Sequence, residues 1–236
     1  MQKINRRFEP SPSDSDYYML TQLRSALENV IKKYIKNSED NNQISILDYG
    51  CGEVPYSKLF ATIPHKFTSA DLPGNELANM ILDANGNVPC EDESFDVVLS
   101  IQVLEHVPSP QKYLSEALRV LKHNGLLLLS THGWWTHHPY PNDYWRWTRE
   151  GLEKILNEEG FKVVDNRGII GMLAYSYQLR AQCWKGLLEN KGLIASSVFS
   201  LIAFYYQKCM HFADIITPVN ISKNNSSIYL IVAKKA

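Results

Sequence analysis

A doubly wound α/β fold is what the sequence predicts, and three observations predict it. Short apolar runs alternate with stretches of helical periodicity between Ile44 and Phe161, the pattern of strands and crossover helices in a parallel sheet. The first run leads into a glycine-bearing loop, "ILDYGCGEVPY" (Ile46 to Tyr56), and the first four runs lead into polar residues at one edge. With 236 residues the chain can bury one substantial core, so a single such domain with an elaboration is favoured over two equal ones.

The N-terminus is polar and proline-bearing until Asp14, Ser15 and Asp16 offer N-cap chemistry. From Met19 the apolar residues Leu20, Leu23, Leu27, Val30, Ile31, Tyr34 and Ile35 recur at three- and four-residue steps, which predicts an amphipathic helix. The polar run "KNSEDNNQ" ends it as a linker, so residues 1–43 form an N-terminal helical segment and 44–236 the main domain. Strands are predicted at Ile44–Tyr49, Lys66–Ala70, Asn79–Leu82, Phe95–Ile101 and Leu126–Ser130, with a helical segment directly after the first loop. Ser109 and Pro110 open a helix whose face is Tyr113, Leu114, Ala117, Leu118 and Leu121, with Gly125 beyond it. Thr148 opens another through Leu152, Ile155 and Leu156, stopped at Gly160; "FKVVDN" is the next strand and "SSIYLIVAKKA" the last. Between these two strands, residues 168–222 are an insertion with helical patterns at Met172–Leu188 and Leu193–Ile216.

Composition narrows the partners. Lys and Arg number 24 against 25 Asp and Glu, a net charge of −1, so no global field favours a nucleic-acid backbone. Cys51, Cys90, Cys183 and Cys209 are widely spaced without a Cys-x-x-Cys pair; neither a zinc site nor a disulfide framework is signalled, and a reducing cytoplasm is expected. "MQKINRRFEPSPSDSD" carries positive charge but no apolar run after it, unlike a secretory leader. Residues 192–207, "GLIASSVFSLIAFYYQ", carry no charge. Their length lies between that of a buried helix and that of a membrane span. The first expectation is packing on the protein or on a second copy in a homodimer, the second peripheral membrane contact, the third a span.

In an open parallel sheet, ligands bind at the carboxyl ends of the strands where strand order reverses. Asp48, Gly50, Cys51 and Gly52 lie at such an end, but a dinucleotide fingerprint would need a third glycine where Pro55 stands. Asp71 ends the second strand, where a carboxylate can bind both ribose hydroxyls. Asp83 ends the third and can accept from an adenine amine, and Ser100 to Gln102 leave the fourth toward the same crevice. Polar groups without a basic residue among them suit a cationic or neutral adenosine ligand better than a phosphate.

The order "ILDYGCG", "SADLPG", "ILDANGNVPCEDESFDVVLSIQVLEHV" and "EALRVLKHNGLLLLSTHG" resembles the class I S-adenosylmethionine-dependent methyltransferases, in particular their small-molecule, type 11-like branch. The resemblance covers Ile44 to Phe161. It implies a Rossmann-like seven-stranded sheet of order 3-2-1-4-5-7-6 with strand 7 antiparallel, the insertion falling between strands 6 and 7, and S-adenosyl-L-methionine as cofactor. By the same resemblance Asp48, Gly50 and Gly52 face the methionine part, Asp71 and Leu72 the ribose, Asp83 and Ala84 the adenine, and Ser100 and Gln102 the methionine side. Val54 followed by Pro55 departs from the family, which often has a third glycine there. Proline suits a first helical turn, so a remodelled loop is expected.

A sulfonium methyl is already electrophilic, so the enzyme mainly aligns the acceptor and takes a proton when the acceptor is a hydroxyl. Candidate bases are His106, where a histidine faces the acceptor in some relatives with this Glu-His step, and His132 and His137. His138, Asp143, Tyr144 and Trp145 are candidate acceptor contacts in "STHGWWTHHPYPNDYWRWT", a segment whose flat side chains can stack on a ring and exclude water. A metal site on His132, His137 and His138 is not expected, for want of carboxylate and cysteine spacing. "DYWRWT" is similar to methyltransferases of surface-polysaccharide assembly, which nominates a sugar hydroxyl on a small-molecule acceptor, with a lipid or quinone-like acceptor as alternative. A catalytically idle binding module is a second hypothesis, opposed by the intact carboxylate and glycine set. Nicotinamide-dependent oxidation is a third, opposed by Pro55 and Asp48.

Overall fold

The computed structural model describes residues 5–35, 43–188 and 190–235. The expected linker falls at 36–43, almost wholly outside them. Seven strands form one sheet: β1 (Ile44–Tyr49), β2 (His65–Asp71), β3 (Met80–Ile81), β4 (Phe95–Ile101), β5 (Leu121–His132), β6 (Phe161–Gly171) and β7 (Ser226–Lys235). Their order is β3-β2-β1-β4-β5-β7-β6, with β7 antiparallel, as the resemblance implied. The helices are α1 (Tyr17–Tyr34), α2 (Pro110–Val120), α3 (Arg149–Glu158), α4 (Met172–Leu188), α5 (Leu193–Ile216) and α6 (Val219–Asn224).

The chain divides into two compact units. The larger comprises Leu27–Arg167 and Tyr229–Ala236. Its central strands are buried on both faces and read as continuous apolar runs: Ile46 pairs with Phe67 on one side and Val97 on the other, and Leu99 pairs with Leu128. Leu114, Ala117 and Val120 of α2 and Leu152 and Leu156 of α3 are fully buried in the same core. The smaller unit comprises Met1–Ala26 and Gly168–Ile228, joining the start of α1 to the insertion. Within this smaller unit Gln207 of α5 ties the insertion to the start of α1: its Oε1 accepts from Tyr18 N at 2.9 Å, and its Nε2 donates to Asp14 O and Ser15 O at 3.1 and 3.0 Å.

Three sequence expectations need correction. The segment after the first loop forms only a single 3-10 turn, Ser57–Phe60, so no α-helix follows that loop directly. β5 begins at Leu121 rather than Leu126, because α2 stops at Val120 and the chain goes directly into the sheet. β6 runs on to Gly171, well past "FKVVDN".

Candidate functional site

The carboxyl ends of β1, β2, β4 and β5 open on one edge of the sheet, where their side chains meet. The loop after β1 takes a left-handed backbone three times, at Gly50 (φ +82°), Gly52 (φ +51°) and Val54 (φ +52°). At Gly50 the absence of a side chain is required twice over, since a Cβ there would lie 2.7 Å from Val103 Cγ1. Val54 therefore keeps the conformation of the glycine it replaces, an unusual one for a β-branched residue.

Asp48 is 3% exposed, and its Oδ2 has no hydrogen-bond partner among the described residues. Burial, reinforced by the Asp71 charge, pushes its carboxyl up to about 7. A buried acceptor left open beside a glycine cradle fits the cationic, amino-bearing methionine end of S-adenosyl-L-methionine. Asp71 is more fully engaged: Oδ2 accepts from Gly52 N at 2.9 Å and Asn75 Nδ2 at 2.7 Å, and Oδ1 from Leu72 N at 2.8 Å. Leu72 is exposed beside it, able to lie against a purine or ribose face. Asp83 turns back on its own loop, its Oδ1 accepting from Asn85 N and Asn87 N and its Oδ2 from Asn87 Nδ2. These bonds hold its carboxyl below the usual range and leave Asp83 and Ala84 exposed at the rim.

Ser100 and Gln102 are buried at the end of β4. Gln102 stands at φ +60° and its Nε2 donates to Ser130 Oγ at 2.7 Å, joining β4 to β5. Beneath the loop, the Tyr113 hydroxyl bridges Tyr49 O (3.0 Å) and Ser100 Oγ (2.9 Å), and the two tyrosine rings stack 4.2 Å apart. Tyr113 comes from α2, and only the fold reveals it as a support of the site.

On the other side of the crevice a cluster forms around Glu105, which is fully buried on the turn after β4. Its Oε1 lies 2.8 Å from His132 Nδ1 and 3.9 Å from His106 Nε2, and its Oε2 accepts from Thr131 Oγ1 at 2.8 Å. The His132 contact is close but out of line for a full hydrogen bond. Burial opposes charge on Glu105, but His132 beside it holds the carboxyl below its ordinary range. The rings of His106, His132 and His138 meet edge to face, His138 at 4.9 Å from His106 and 4.7 Å from His132, while Trp135 stacks on His132 at 4.7 Å. His106 Nδ1 donates to Asn142 O at 2.6 Å and His138 Nδ1 to Thr136 O at 3.1 Å. Because a carbonyl only accepts, each ring, when neutral, carries its proton on Nδ1 and offers Nε2 as the acceptor. Burial and the neighbouring His132 bring His138 down to about 4.

The segment over this cluster is pinned by one ion pair. Arg146 places both terminal nitrogens on Asp143, at 2.6 and 2.7 Å, while its Nε donates to Trp135 O and its NH2 to Thr136 O. The Arg146 fork holds the Asp143 carboxyl far below the usual carboxylate range. Asp143 Oδ2 accepts from His138 N at 3.0 Å, and the Tyr144 and Trp145 amides donate to Glu105 O. Trp134, Tyr140, Tyr144 and Trp145 leave their rings exposed.

Of the nominated bases, His106 and His132 join the cluster and His137 does not; it is exposed, and its place is taken by His138. Glu105, Arg146 and Asn75 were missed by sequence reasoning; the Glu-His pair itself was the one available signal for Glu105. Glu105, His132 and His138 also put their ligand atoms within 4.8 Å of one another, so the carboxylate that a histidine metal site lacked in the sequence is supplied by the fold.

Comparison with known proteins identifies the family and the fold. The sequence matches the family described as "Methyltransferase domain" over residues 19–166. A protein of Mycolicibacterium smegmatis named as a probable S-adenosylmethionine-dependent methyltransferase is 31% identical over 140 residues, 52% of this chain and 54% of that one. The ubiquinone biosynthesis O-methyltransferase of Rickettsia prowazekii is 30% identical over 117 residues, 44% of this chain and 46% of that one. The chain thus spans between a third and about half the length of the first curated relatives it matches. Haemonchus contortus phosphoethanolamine N-methyltransferase 2, solved with S-adenosyl-L-methionine, shares the fold with a TM-score of 0.54 at 16% identity, covering 99% of this chain and 60% of that one. With the family matched over more than half of its length, the chain belongs to the class I S-adenosylmethionine-dependent methyltransferases.

Proposed function

We propose that the protein transfers a methyl group from S-adenosyl-L-methionine to a hydroxyl of a small ring-bearing acceptor, with a sugar as the favoured class. The observation that carries this reading is the gathering of His106, His132 and His138 around the buried Glu105 at the ends of β4 and β5. An aliphatic hydroxyl is a poor nucleophile without a base, and a positioned imidazole contributes typically about 10²–10⁴-fold to such a step. Bound in the crevice, the cofactor supplies an electrophilic methyl group.

The chain's own residues do the rest. Asp48 offers its open oxygen to the amino end of the cofactor, Asp71 its carboxylate to the ribose, and the Gly50–Gly52 backbone makes room. His106, its Nδ1–H fixed on Asn142 O, takes the hydroxyl proton at Nε2, and the Glu105 charge stabilises the imidazolium that results. Neutral His138 and the carboxylate of Asp143 shape the acceptor side. The exposed rings of Trp134, Tyr140, Tyr144 and Trp145 supply stacking faces for a sugar or another flat ring. The Rickettsia relative's name, an O-methyltransferase, supports oxygen as the atom methylated.

The test is direct. The purified protein is incubated with S-adenosylmethionine carrying an isotopically labelled methyl group and a panel of sugar nucleotides, free polyols, catechols and amines. Label on a hydroxyl oxygen of a sugar is expected; label confined to amines would remove the reading.

A further inference from the structure

The smaller unit turns its largest apolar side chains outward. α5 buries Ala203, Gln207, Met210 and Ala213, a small and partly polar stripe at three- and four-residue steps. Its bulky residues face the other way: Leu193 is 88% exposed, Leu201 72% and Ile215 67%. Only 17% of its most apolar stretch, long enough to cross a membrane, is buried. Trp184 and Leu187 of α4 and Val219 of α6 extend the apolar surface. Between α4 and α5 lies a shallow groove of about 340 Å³ lined by Trp184, Leu201, Ile202, Tyr205 and Tyr206. Surfaces of this extent mark contact with a protein or a membrane.

The charges identify which. Between Met172 and Asn224 the basic residues are Arg180, Lys185, Lys191, Lys208 and Lys223, all exposed. The acidic residue described there, Asp214, is turned inward, accepting from Tyr18 OH and Gly171 N at 3.0 and 2.9 Å. In a chain whose overall charge is near zero, the described ionic groups around this face are thus cationic. Arg180 lies over the Tyr177 ring at 5.3 Å and Lys208 over Phe204 at 5.3 Å, so the cations border the aromatic and apolar groups directly.

We propose that α4, α5 and α6 dock in the plane of an anionic lipid bilayer, with the bulky face of α5 among the acyl chains and the five cations at the headgroups. An apolar face bordered by Lys and Arg, with Trp and Tyr between, has the chemistry of an interfacial helix. A span is disfavoured, because lipid around α5 would strip Gln207 of its bonds to Asp14, Ser15 and Tyr18. A twofold contact with a second copy is disfavoured as well, since it would bring two cationic rims together.

Flotation of the full chain with vesicles tests this. The chain should rise with equimolar phosphatidylglycerol and phosphatidylcholine, and at least about tenfold less with phosphatidylcholine alone. The double variant Leu201→Glu, Ile215→Glu should stay with the buffer. Lys185→Glu with Lys208→Glu, which leaves the apolar face intact and guards against misfolding of the first variant, should lose the preference for the anionic vesicles. Equal flotation with both vesicle types, or none with either, would overturn the proposal. So would a stable dimer that the first variant dissolves while the parent chain ignores vesicles.

Discussion

Glu105 Oε1 and His132 Nδ1 stand 2.8 Å apart, a carboxylate from the turn after β4 against the last residue of β5, with no solvent on the carboxylate side. The pair joins the two strand ends that also carry Ser100, Gln102 and Ser130.

Glu105→Gln keeps the size of the side chain and removes the charge that stabilises a protonated imidazole. Methyl transfer should slow by about 10²-fold or more, while the affinity for S-adenosylmethionine measured by calorimetry stays within a factor of about three. His106→Ala should give the same split, and turnover equal to the parent's would move the base to another member of the cluster.

Asp48, raised to about 7, carries a pH dependence with a definite sign. A cationic cofactor favours the ionised carboxylate, so its affinity should rise as pH climbs through about 7, and binding near that pH should release a proton. Calorimetry in two buffers of different ionisation enthalpy reads that proton. Asp48→Asn should bind more weakly and lose the dependence; a flat profile in the parent would contradict the assignment. Because the folded value lies above the 3.8 of a free carboxyl side chain, the same group also makes the unliganded protein lose stability as pH rises between the two values.

His138 works in the opposite direction. Its value of about 4 lies below the 6.5 of a free imidazole, so the unfolded chain binds the proton more readily. The stability it contributes is present above about 6.5 and lost as pH falls toward about 4. The thermal midpoint should therefore fall more steeply across that window in the parent than in His138→Asn, and equal slopes would remove the effect.

Arg146→Lys cannot reproduce a fork that reaches Asp143 twice and the Trp135 and Thr136 carbonyls besides. The acceptor KM should rise by roughly tenfold, with the cofactor's affinity nearly unchanged. A variant with parental KM would show that this segment does not hold the acceptor.

Activity should survive extensive treatment with a strong chelator. Loss of turnover restored by zinc or manganese would instead make Glu105, His132 and His138 the ligands of an ion.

The strand and helix boundaries were legible wherever a pattern was long and local: β1, β4, α4 and α5 begin and end at the residues that periodicity marks. The short segment after Gly52 was not, because Val54, Pro55 and a handful of apolar positions fit a 3-10 turn as well as a helix. On the cofactor side, Asp48 and Asp71 could be nominated from their positions at strand ends, whereas the closed hydrogen bonding of Asp83 is a property of its loop alone. Glu105 was hidden because a carboxylate acquires its meaning here from burial against β5, a contact between distant parts of the chain. His137 and His138 are adjacent in sequence and differ only in direction, which the Asp143–His138 amide bond sets.

The bond from Tyr18 N to Gln207 Oε1 spans 189 residues. At about 5–20 residues per second, a ribosome reaches Gln207 roughly 10–40 s after Tyr18. The first turn of α1 thus leaves the exit tunnel long before its acceptor is made. Chaperones that engage nascent chains would meet α1 with that turn still uncapped.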